Sequence, residues 1–167
     1  MKKLKRITLH DAKMMERQHL QKMIINGFEP FSQAIGEDLF FLHEEYVPSQ
    51  EIEDRIDILA LDSNGACVII ELKRNKDKRQ LFQAIAYAGL ISLNSPEELL
   101  GHLTVDRRDA LEDFLSPSQQ SLDSINEKQR IVLIAEAYDY ALLRGAQWLC
   151  EQFDVEIRCC QLAILEE

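Results

Sequence analysis

The sequence RIDILALDSNGACVIIELK, residues 55–73, contains the strongest local structural signal in the chain. Its apolar segments, residues 55–62 and 66–73, lie on either side of Ser63-Asn64-Gly65. This pattern predicts two antiparallel strands joined by a short hairpin loop in which Gly65 takes the left-handed conformation. The second segment is apolar on both faces, which is typical of a strand in the middle of a covered sheet. We therefore expect a layered fold built around this hairpin.

The register of the hairpin brings two acidic residues together. It pairs Asp62 with Ala66, so counting back along both strands places Asp57 directly opposite Glu71. Opposed residues in an antiparallel pair have Cβ atoms about 4.5–5.5 Å apart. Alternation along the second strand puts Lys73 on the same side as Glu71. We expect Asp57 and Glu71 to point into one cleft, with Lys73 beside them.

The rest of the chain predicts helices and strands on both sides of this hairpin. Periodicity, capping residues and turn residues predict a helix over 11–26, a strand over 38–48, helices over 77–92 and 96–115, a strand over 130–136, a helix over 139–153 and a strand over 155–165. The polar residues 116–128 predict a loop. The resulting order, α-β-β-β-α-α-β-α-β, predicts an α/β fold with a mixed central sheet flanked by helices. The length of 167 residues suits one domain over residues 1–167.

Composition excludes several classes of protein. A hydrophobic fraction of 46% excludes wholesale disorder, and no apolar run approaches the ~20 residues of a membrane span. The net charge of −10 argues against nucleic-acid binding over the whole surface, although a local basic patch stays compatible with it. No apolar segment follows the basic start of the chain, so we expect a cytoplasmic protein. The cysteines form no C-x-x-C pair and predict free thiols in a reducing compartment: Cys67, Cys150, Cys159 and Cys160.

Two carboxylates that face each other at the end of an apolar hairpin repel, and a cation usually offsets that cost. Carboxylate oxygens are the hard ligands that Mg²⁺ and Mn²⁺ prefer, with water completing the coordination. The ammonium group of Lys73 could orient or activate a water, or stabilise a developing negative charge. The alternative is a surface salt-bridge cluster in which Asp57 and Glu71 pair with Arg55 and Lys73. The hairpin alone leaves both interpretations open.

These motifs resemble those of the PD-(D/E)XK nuclease superfamily, which has the restriction-endonuclease-like fold. The matching residues are Asp57, then Glu71-Leu72-Lys73 after a short hairpin, then the Q-x-x-x-Y element from Gln83 to Tyr87 on the next helix. Together with the motif R-I-D-x-L-A-x-D, these residues are similar to the motifs of the RecB-like and NucS-like branch. Ile56 stands where the family name has Pro, a position that varies within the superfamily. The resemblance implies one nuclease-like domain.

The resemblance also implies a role for each matching residue. In that branch the Asp and the Glu hold Mg²⁺ (or Mn²⁺), the Lys is the catalytic base or orients the water, and a Glu on the first helix completes the site. Carried over, these residues are Asp57, Glu71, Lys73 and Glu16. The Gln and Tyr of the helix, here Gln83 and Tyr87, support the site or contact the nucleic-acid backbone. Because the first helix has no fixed spacing to the hairpin, Glu45 on the first strand is the alternative to Glu16.

A basic segment follows the second hairpin strand directly. Residues 73–79 contain five cations and one acid, and those after Lys73 are Arg74, Lys76, Lys78 and Arg79. Phosphate contacts supply most of the nonspecific affinity for nucleic acid, so this segment predicts a phosphate-binding surface beside the metal site. The alternative is that residues 73–79 form only a solvent-exposed loop and the start of a helix, with no role in binding. Arg55, just before Asp57, either approaches a phosphate or pairs with a neighbouring acid.

Two functional hypotheses from different classes follow. The first is a metal-dependent nuclease, most simply an endonuclease that hydrolyses DNA, in which Asp57 and Glu71 hold Mg²⁺ and Lys73 assists the attacking water. The second is a nuclease-fold module of weak or lost activity that binds nucleic acid or assembles with protein. DNA is the expected partner and RNA the alternative. The acidic surface and small size are also compatible with a homodimer or with an attached or separate DNA-binding partner.

Overall fold

The computed structural model describes residues 5–8, 17–73 and 76–166. In chain order these residues form β1 (Lys5–Ile7), α1 (Arg17–Asn26), α2 (Phe28–Ala34), β2 (Leu39–Tyr46), β3 (Ile56–Asp62), β4 (Cys67–Lys73), α3 (Gln80–Ile91), α4 (Pro96–Leu100), α5 (Val105–Leu115), β5 (Gln129–Ala135), α6 (Tyr140–Phe153), β6 (Ile157–Gln161) and β7 (Ile164–Glu166). Single 3₁₀ turns at Ser116–Ser118 and Leu122–Ser124 interrupt the loop before β5.

The core of the fold is a mixed five-stranded sheet with the order β2-β3-β4-β5-β6. The pairs β2–β3 and β3–β4 are antiparallel, whereas β4–β5 and β5–β6 are parallel. The central position of β4 confirms the prediction from its two apolar faces, since six of its seven residues are buried. The hairpin register is confirmed as well, from Ile58 opposite Ile70 to Leu61 opposite Cys67. Gly65 has a φ of 78°, as the loop requires.

Helices cover both faces of the sheet. On one face α1 and α2 pack on the residues of β3 and β4 that include Ile58, Ile70 and Leu72. On the other face α3 to α6 pack on the alternate residues, which include Leu59 and Ile69. This arrangement confirms the predicted α/β class, a mixed sheet flanked by helices. None of the helices within the described residues is both long enough and apolar enough to cross a membrane.

Three features differ from the predicted elements. A second helix, α2, follows the stop at Asn26-Gly27, because Phe28 and Phe31 lie one turn apart and pack on the sheet. The predicted helix over 96–115 is two helices, since Thr104 caps the start of α5 with its side chain. The predicted last strand divides into β6 and β7, and β7 pairs with β1 in a separate two-stranded sheet. That partner lies at the other end of the sequence, so no local pattern could reveal the pairing.

The first helix also buries different residues from those expected. The helical spacing of Leu20, Met23 and Ile24 predicts that they form its apolar stripe, but Met23 is half exposed and Gln21 is buried. The stripe therefore contains a polar side chain, which needs a hydrogen-bond partner inside the protein. The described part of α1 begins at Arg17, so the predicted start of this helix near residue 11 lies outside the described residues.

Candidate active site

The site is built where the β3–β4 hairpin pairing ends. The regular ladder stops at Ile58 and Ile70, one step short of the two acids. There the N–H of Asp57 donates to Glu71 Oε1 at 3.2 Å, and the N–H of Leu72 donates to Asp57 Oδ2 at 2.8 Å. Asp57 is fully buried and Glu71 is 2% exposed. Each carboxylate thus accepts a main-chain hydrogen bond from the opposite strand, which holds the two acids side by side.

A cleft of about 220 Å³ opens over this end of the hairpin. It is lined by Glu45, Glu53, Asp54, Arg55, Glu71, Lys73, Gln83 and Tyr87. The structure therefore brings together six of the residues that the sequence singled out, from four separate stretches of chain. Asp57 is not in the lining, because its side chain is fully buried.

Helix α3 supplies the wall of the cleft opposite the hairpin. Gln83 and Tyr87 are one turn apart on this helix and both line the cleft; Tyr87 is 5% exposed. The helix is fixed to the sheet by Gln80, whose buried amide Nε2 donates to the carbonyl of Glu71 at 3.0 Å and to that of Ile134 at 3.4 Å. The first turn of α3 is therefore attached to the carboxyl ends of β4 and β5.

A second buried glutamine acts on Asp57 in the same way. The Nε2 of Gln21, on α1, donates to the main-chain carbonyl of Asp57 at 3.2 Å. Gln21 and Gln80 were not identified from the sequence, although a glutamine inside an otherwise apolar helical stripe is a signal that could have indicated Gln21. Each of the two acids is thus positioned by an amide from a different helix. Glu16, the predicted fourth acid, lies outside the described residues.

Glu45, the alternative to Glu16, lies in the cleft. It is half-buried near the end of β2, with a φ of 50°, a conformation that non-glycine residues seldom adopt. A register shift between Phe41 and His43 precedes it on the same strand. Such irregularities re-aim side chains at sheet edges. The cleft therefore contains an acid from β2 as well as Glu71 from β4, together with Glu53 and Asp54 from the loop before β3.

The described part of the basic segment is solvent-exposed. Lys76, Lys78 and Arg79 are exposed between β4 and α3, and Arg55 is exposed at the rim of the cleft. Arg74 lies outside the described residues. Asp77 sits within this segment and accepts a hydrogen bond from the N–H of Arg79 at 2.9 Å, which lowers the pKa of the Asp77 carboxyl. This hydrogen bond holds the Asp77 carboxylate at the start of α3.

The remaining ionisable groups near the sheet are structural. Cys67, Cys150, Cys159 and Cys160 are free, as predicted. Burial raises the pKa of the Cys67 thiol to about 12, so it stays neutral. Burial likewise lowers the pKa of His43 to about 4, and the neutral ring of His43 is hydrogen-bonded to the Leu99 carbonyl at 2.9 Å and stacked on His102. None of these groups lines the cleft.

The donor atoms of the cleft determine which metals would suit it. Within the described ranges, no group of three or more His, Cys, Asp or Glu side chains is arranged to hold a metal ion. The pair Asp57 and Glu71 offers only carboxylate oxygens, with no thiol or imidazole. Mg²⁺ is commonly held by one or two carboxylates while water fills its other positions. The residues present therefore fit Mg²⁺ or Mn²⁺ rather than a structural zinc ion.

Comparison with known proteins gives matches in structure alone. No protein-family model matches the chain, and no curated protein matches it significantly. The similar solved structures include a repair endonuclease from Pyrococcus abyssi, with 18% identity over 83% of this chain and 45% of that chain and a TM-score of 0.46. They also include an EndoMS–dsDNA complex, with 19% identity over 96% and 47% and a TM-score of 0.48. The chain spans a little under half the length of these structures.

Proposed function

We propose that this chain is a metal-dependent nuclease that hydrolyses phosphodiester bonds in DNA, with the site of the PD-(D/E)XK type. The observation that supports it best is the placement of Glu71, Lys73, Gln83 and Tyr87 around one cleft, with the main-chain N–H of the buried Asp57 hydrogen-bonded to the Glu71 carboxylate. DNA is the proposed substrate because the motifs resemble the RecB-like and NucS-like branch. The exposed cations at the rim suit a polyanionic substrate.

Each residue has a proposed part in the reaction. Asp57 and Glu71 would hold Mg²⁺, and either Glu16 or Glu45 would add a further oxygen ligand. When bound, this ion supplies a Lewis acid that lowers the pKa of a water and neutralises charge on the phosphate. Lys73 is half-buried and lines the cleft, where its ammonium would orient the attacking water or stabilise the negative charge that develops.

The helix and the rim would hold the substrate. Gln83 is half-buried at the cleft wall, where its amide can donate to a phosphate oxygen or to the attacking water. Tyr87 is more deeply buried and packs the base of the same wall. Arg55, Lys76, Lys78 and Arg79 would pair with phosphates on either side of the scissile bond, which positions the strand without reading its sequence.

The test is cleavage of plasmid DNA, a single-stranded oligonucleotide and RNA in Mg²⁺ or Mn²⁺, against the same reactions in EDTA. We expect cleavage of DNA that EDTA abolishes and that Lys73→Ala lowers at least ~10²-fold, because the residue acts on the reacting atoms. The matched control is Lys128→Ala, which removes an exposed lysine just before β5, at the opposite end of the sheet. Equal rates for Lys73→Ala and the wild type, or cleavage unaffected by EDTA, would contradict the proposal.

A binding module of lost activity is the second candidate. It is supported by the burial of Asp57, whose Oδ2 accepts the Leu72 N–H as a purely structural carboxylate would. That candidate predicts DNA binding in EDTA by a protein that cleaves none of the three substrates. Fluorescence anisotropy of labelled DNA in EDTA measures binding, and the cleavage assay measures activity. Together these two measurements distinguish the nuclease from the binding module.

A further inference from the structure

Two aromatic side chains are exposed near the starts of the adjacent helices α3 and α6. Phe82 on α3 is 75% exposed, and Tyr140 at the start of α6 is 76% exposed. Single exposed apolar residues are common, but large aromatic rings that are three-quarters exposed lose most of the stabilisation that burial provides. Phe82 adjoins Gln83, which lines the cleft.

Both rings lie at the same end of the sheet as the cleft. Helix α3 follows β4 and helix α6 follows β5, and these two strands are parallel. The starts of both helices therefore lie near the carboxyl ends of the strands, where Glu71 and Lys73 are found. An ion pair joins the two helix starts, since Lys78 Nζ lies 3.9 Å from Asp139 Oδ2, and Asp139 directly precedes Tyr140.

Two cations directly precede the helix that carries Phe82. Lys78 and Arg79 are the last residues before α3, which begins at Gln80. The side chains of Lys78 and Arg79 are 79% and 84% exposed. The neighbouring acids each accept a main-chain hydrogen bond, Asp77 from the Arg79 N–H and Asp139 from the Ala141 N–H. Asp77 also lies 3.5 Å from Arg79 Nε, a pair that leaves the Arg79 side chain exposed to solvent, as the Asp139 pair leaves that of Lys78. The surface thus combines exposed aromatic faces with exposed positive charge.

We propose that Phe82, Tyr140, Lys78 and Arg79 form a platform for unpaired nucleotides, on which bases stack while the cations hold the phosphates. Surfaces that bind single strands combine a basic track with aromatic rings in this way, since every base has a face that can stack. This inference rests on the proposed nuclease function and specifies its substrate: single-stranded or locally unpaired DNA that runs from the platform into the cleft.

The test is the affinity for a fluorescein-labelled oligo(dT) and for a blunt duplex, measured by anisotropy in EDTA so that neither is cut. Phe82→Ala should weaken single-strand binding roughly 5- to 100-fold, with a smaller change for the duplex. Phe82→Trp should restore it. Phe153→Ala is the matched control, because Phe153 is 60% exposed at the far end of α6, 13 residues beyond Tyr140, which is about 20 Å.

Salt dependence separates stacking from charge. Lys78→Ala should reduce the slope of log affinity against log salt by about 0.7, the value for one phosphate contact on a single strand. Phe82→Ala should displace the line without changing its slope, because stacking releases no counterions. A slope that falls equally in both variants would overturn the assignment of Phe82.

Four outcomes would contradict the platform. Single-strand affinity equal in Phe82→Ala and the wild type, while the wild type still cleaves DNA, rejects the platform and leaves the nuclease intact. Equal losses in Phe82→Ala and Phe153→Ala reject it too. A change in self-association by analytical ultracentrifugation, with unchanged DNA affinity, would assign these rings to a protein interface. A wild type that neither binds nor cleaves DNA rejects the proposed function together with the platform.

Discussion

At the scale of single residues, the two acids of the hairpin are positioned by main-chain hydrogen bonds rather than by chance proximity. The carbonyl of Asp57 accepts from Gln21 and the carbonyl of Glu71 accepts from Gln80. Their carboxylates accept N–H bonds across the hairpin. A site held by buried amides from two helices is preorganised, which is what a metal or a phosphate requires of its ligands.

Metal binding should be visible in the stability of the protein. A ligand that binds only the folded state at a hundredfold excess over its Kd stabilises by about 2.7 kcal/mol. For a domain of this size we expect Mn²⁺ to raise Tm by about 5–10 °C. Glu71→Gln should lose most of this rise, while its metal-free Tm stays equal or increases. One of two neighbouring like charges is gone, and the amide oxygen can still accept the Asp57 N–H.

Differential scanning calorimetry of both proteins in EDTA and in millimolar Mn²⁺ checks this prediction. If Glu71 were only a salt-bridge partner of Lys73, its substitution should lower the Tm in EDTA and Mn²⁺ should move neither curve. A wild-type Tm unmoved by Mn²⁺ and by Mg²⁺ counts against the metal site.

Two glutamines on α3 should have separable effects. Gln80→Leu removes the donor to two main-chain carbonyls in a buried place, so we expect a loss of about 1–3 kcal/mol in the free energy of unfolding. Gln83→Leu should change that free energy by less than about 0.5 kcal/mol, since the side chain faces the cleft. DNA cleavage should fall for Gln83→Leu all the same. Urea unfolding and DNA cleavage rates measured on both variants test this prediction. Similar losses of stability in the two variants would contradict it.

At the scale of elements, the β3–β4 hairpin and helix α3 form one functional unit. The hairpin provides the acids and Lys73, and α3 provides Gln83 and Tyr87 after a short basic segment. The hairpin depends on a tight loop whose Gly65 has a φ of 78° and approaches Ile125 in the loop before β5. The loop therefore fixes the register that brings Asp57 to Glu71.

Two glycine substitutions should change the free energy of unfolding in opposite directions. In Gly65→Ala the new Cβ would lie 3.5 Å from Ile125, an ordinary contact, so the cost comes from the left-handed backbone and should be about 1–2 kcal/mol. In Gly89→Ala on α3 the new Cβ has no neighbour within 4 Å, and the helix should gain about 0.5–1 kcal/mol. Urea unfolding measures both, and a stabilised Gly65→Ala would contradict the role of the loop.

At the scale of the whole molecule, a buried ionic network ties the end of the sheet that lies opposite the cleft. Arg130 on β5 pairs with Glu37 at 2.9 Å, with Asp62 at 3.0 Å and with Glu156 at 2.6 Å. Arg158 on β6 adds a contact to Glu37 at 3.1 Å. The loop after α2, the end of β3 and the residue before β6 therefore meet at the Arg130 guanidinium of β5. These ion pairs raise the pKa of Arg130, which stays charged.

Loss of this guanidinium should be strongly destabilising. Arg130→Ala would leave Glu37 and Asp62, whose side chains are 8% and 10% exposed, without their main partner, and we expect a cost of about 3–5 kcal/mol. Arg158→Ala is the control, because the Arg158 side chain is 46% exposed and its pair with Glu37 should contribute at most about 1 kcal/mol. Equal losses in urea unfolding would show that the network does not depend on Arg130.

The sequence alone determined what lies close together along the chain. The hairpin register, the opposed acids at its end and the Q-x-x-x-Y helix are all contained in residues 55–91, where alternation and helical periodicity act over short separations. Most of the cleft lining could therefore be predicted. Within that span the sequence did not indicate Gln80 or the exposure of Phe82, because it does not show which face of a helix a neighbouring element covers.

Only the tertiary structure decided the contacts between distant segments. It placed Glu45 in the cleft through a strand irregularity, joined Gln21 to Asp57 across 36 residues, and paired β1 with β7. These contacts leave no periodic trace, because a buried polar group can be satisfied by any segment that packing brings within about 3 Å. The hairpin sequence determines where Asp57 and Glu71 lie. The positions of the Gln21 and Gln80 amides that hold them depend on how the helices pack on the sheet.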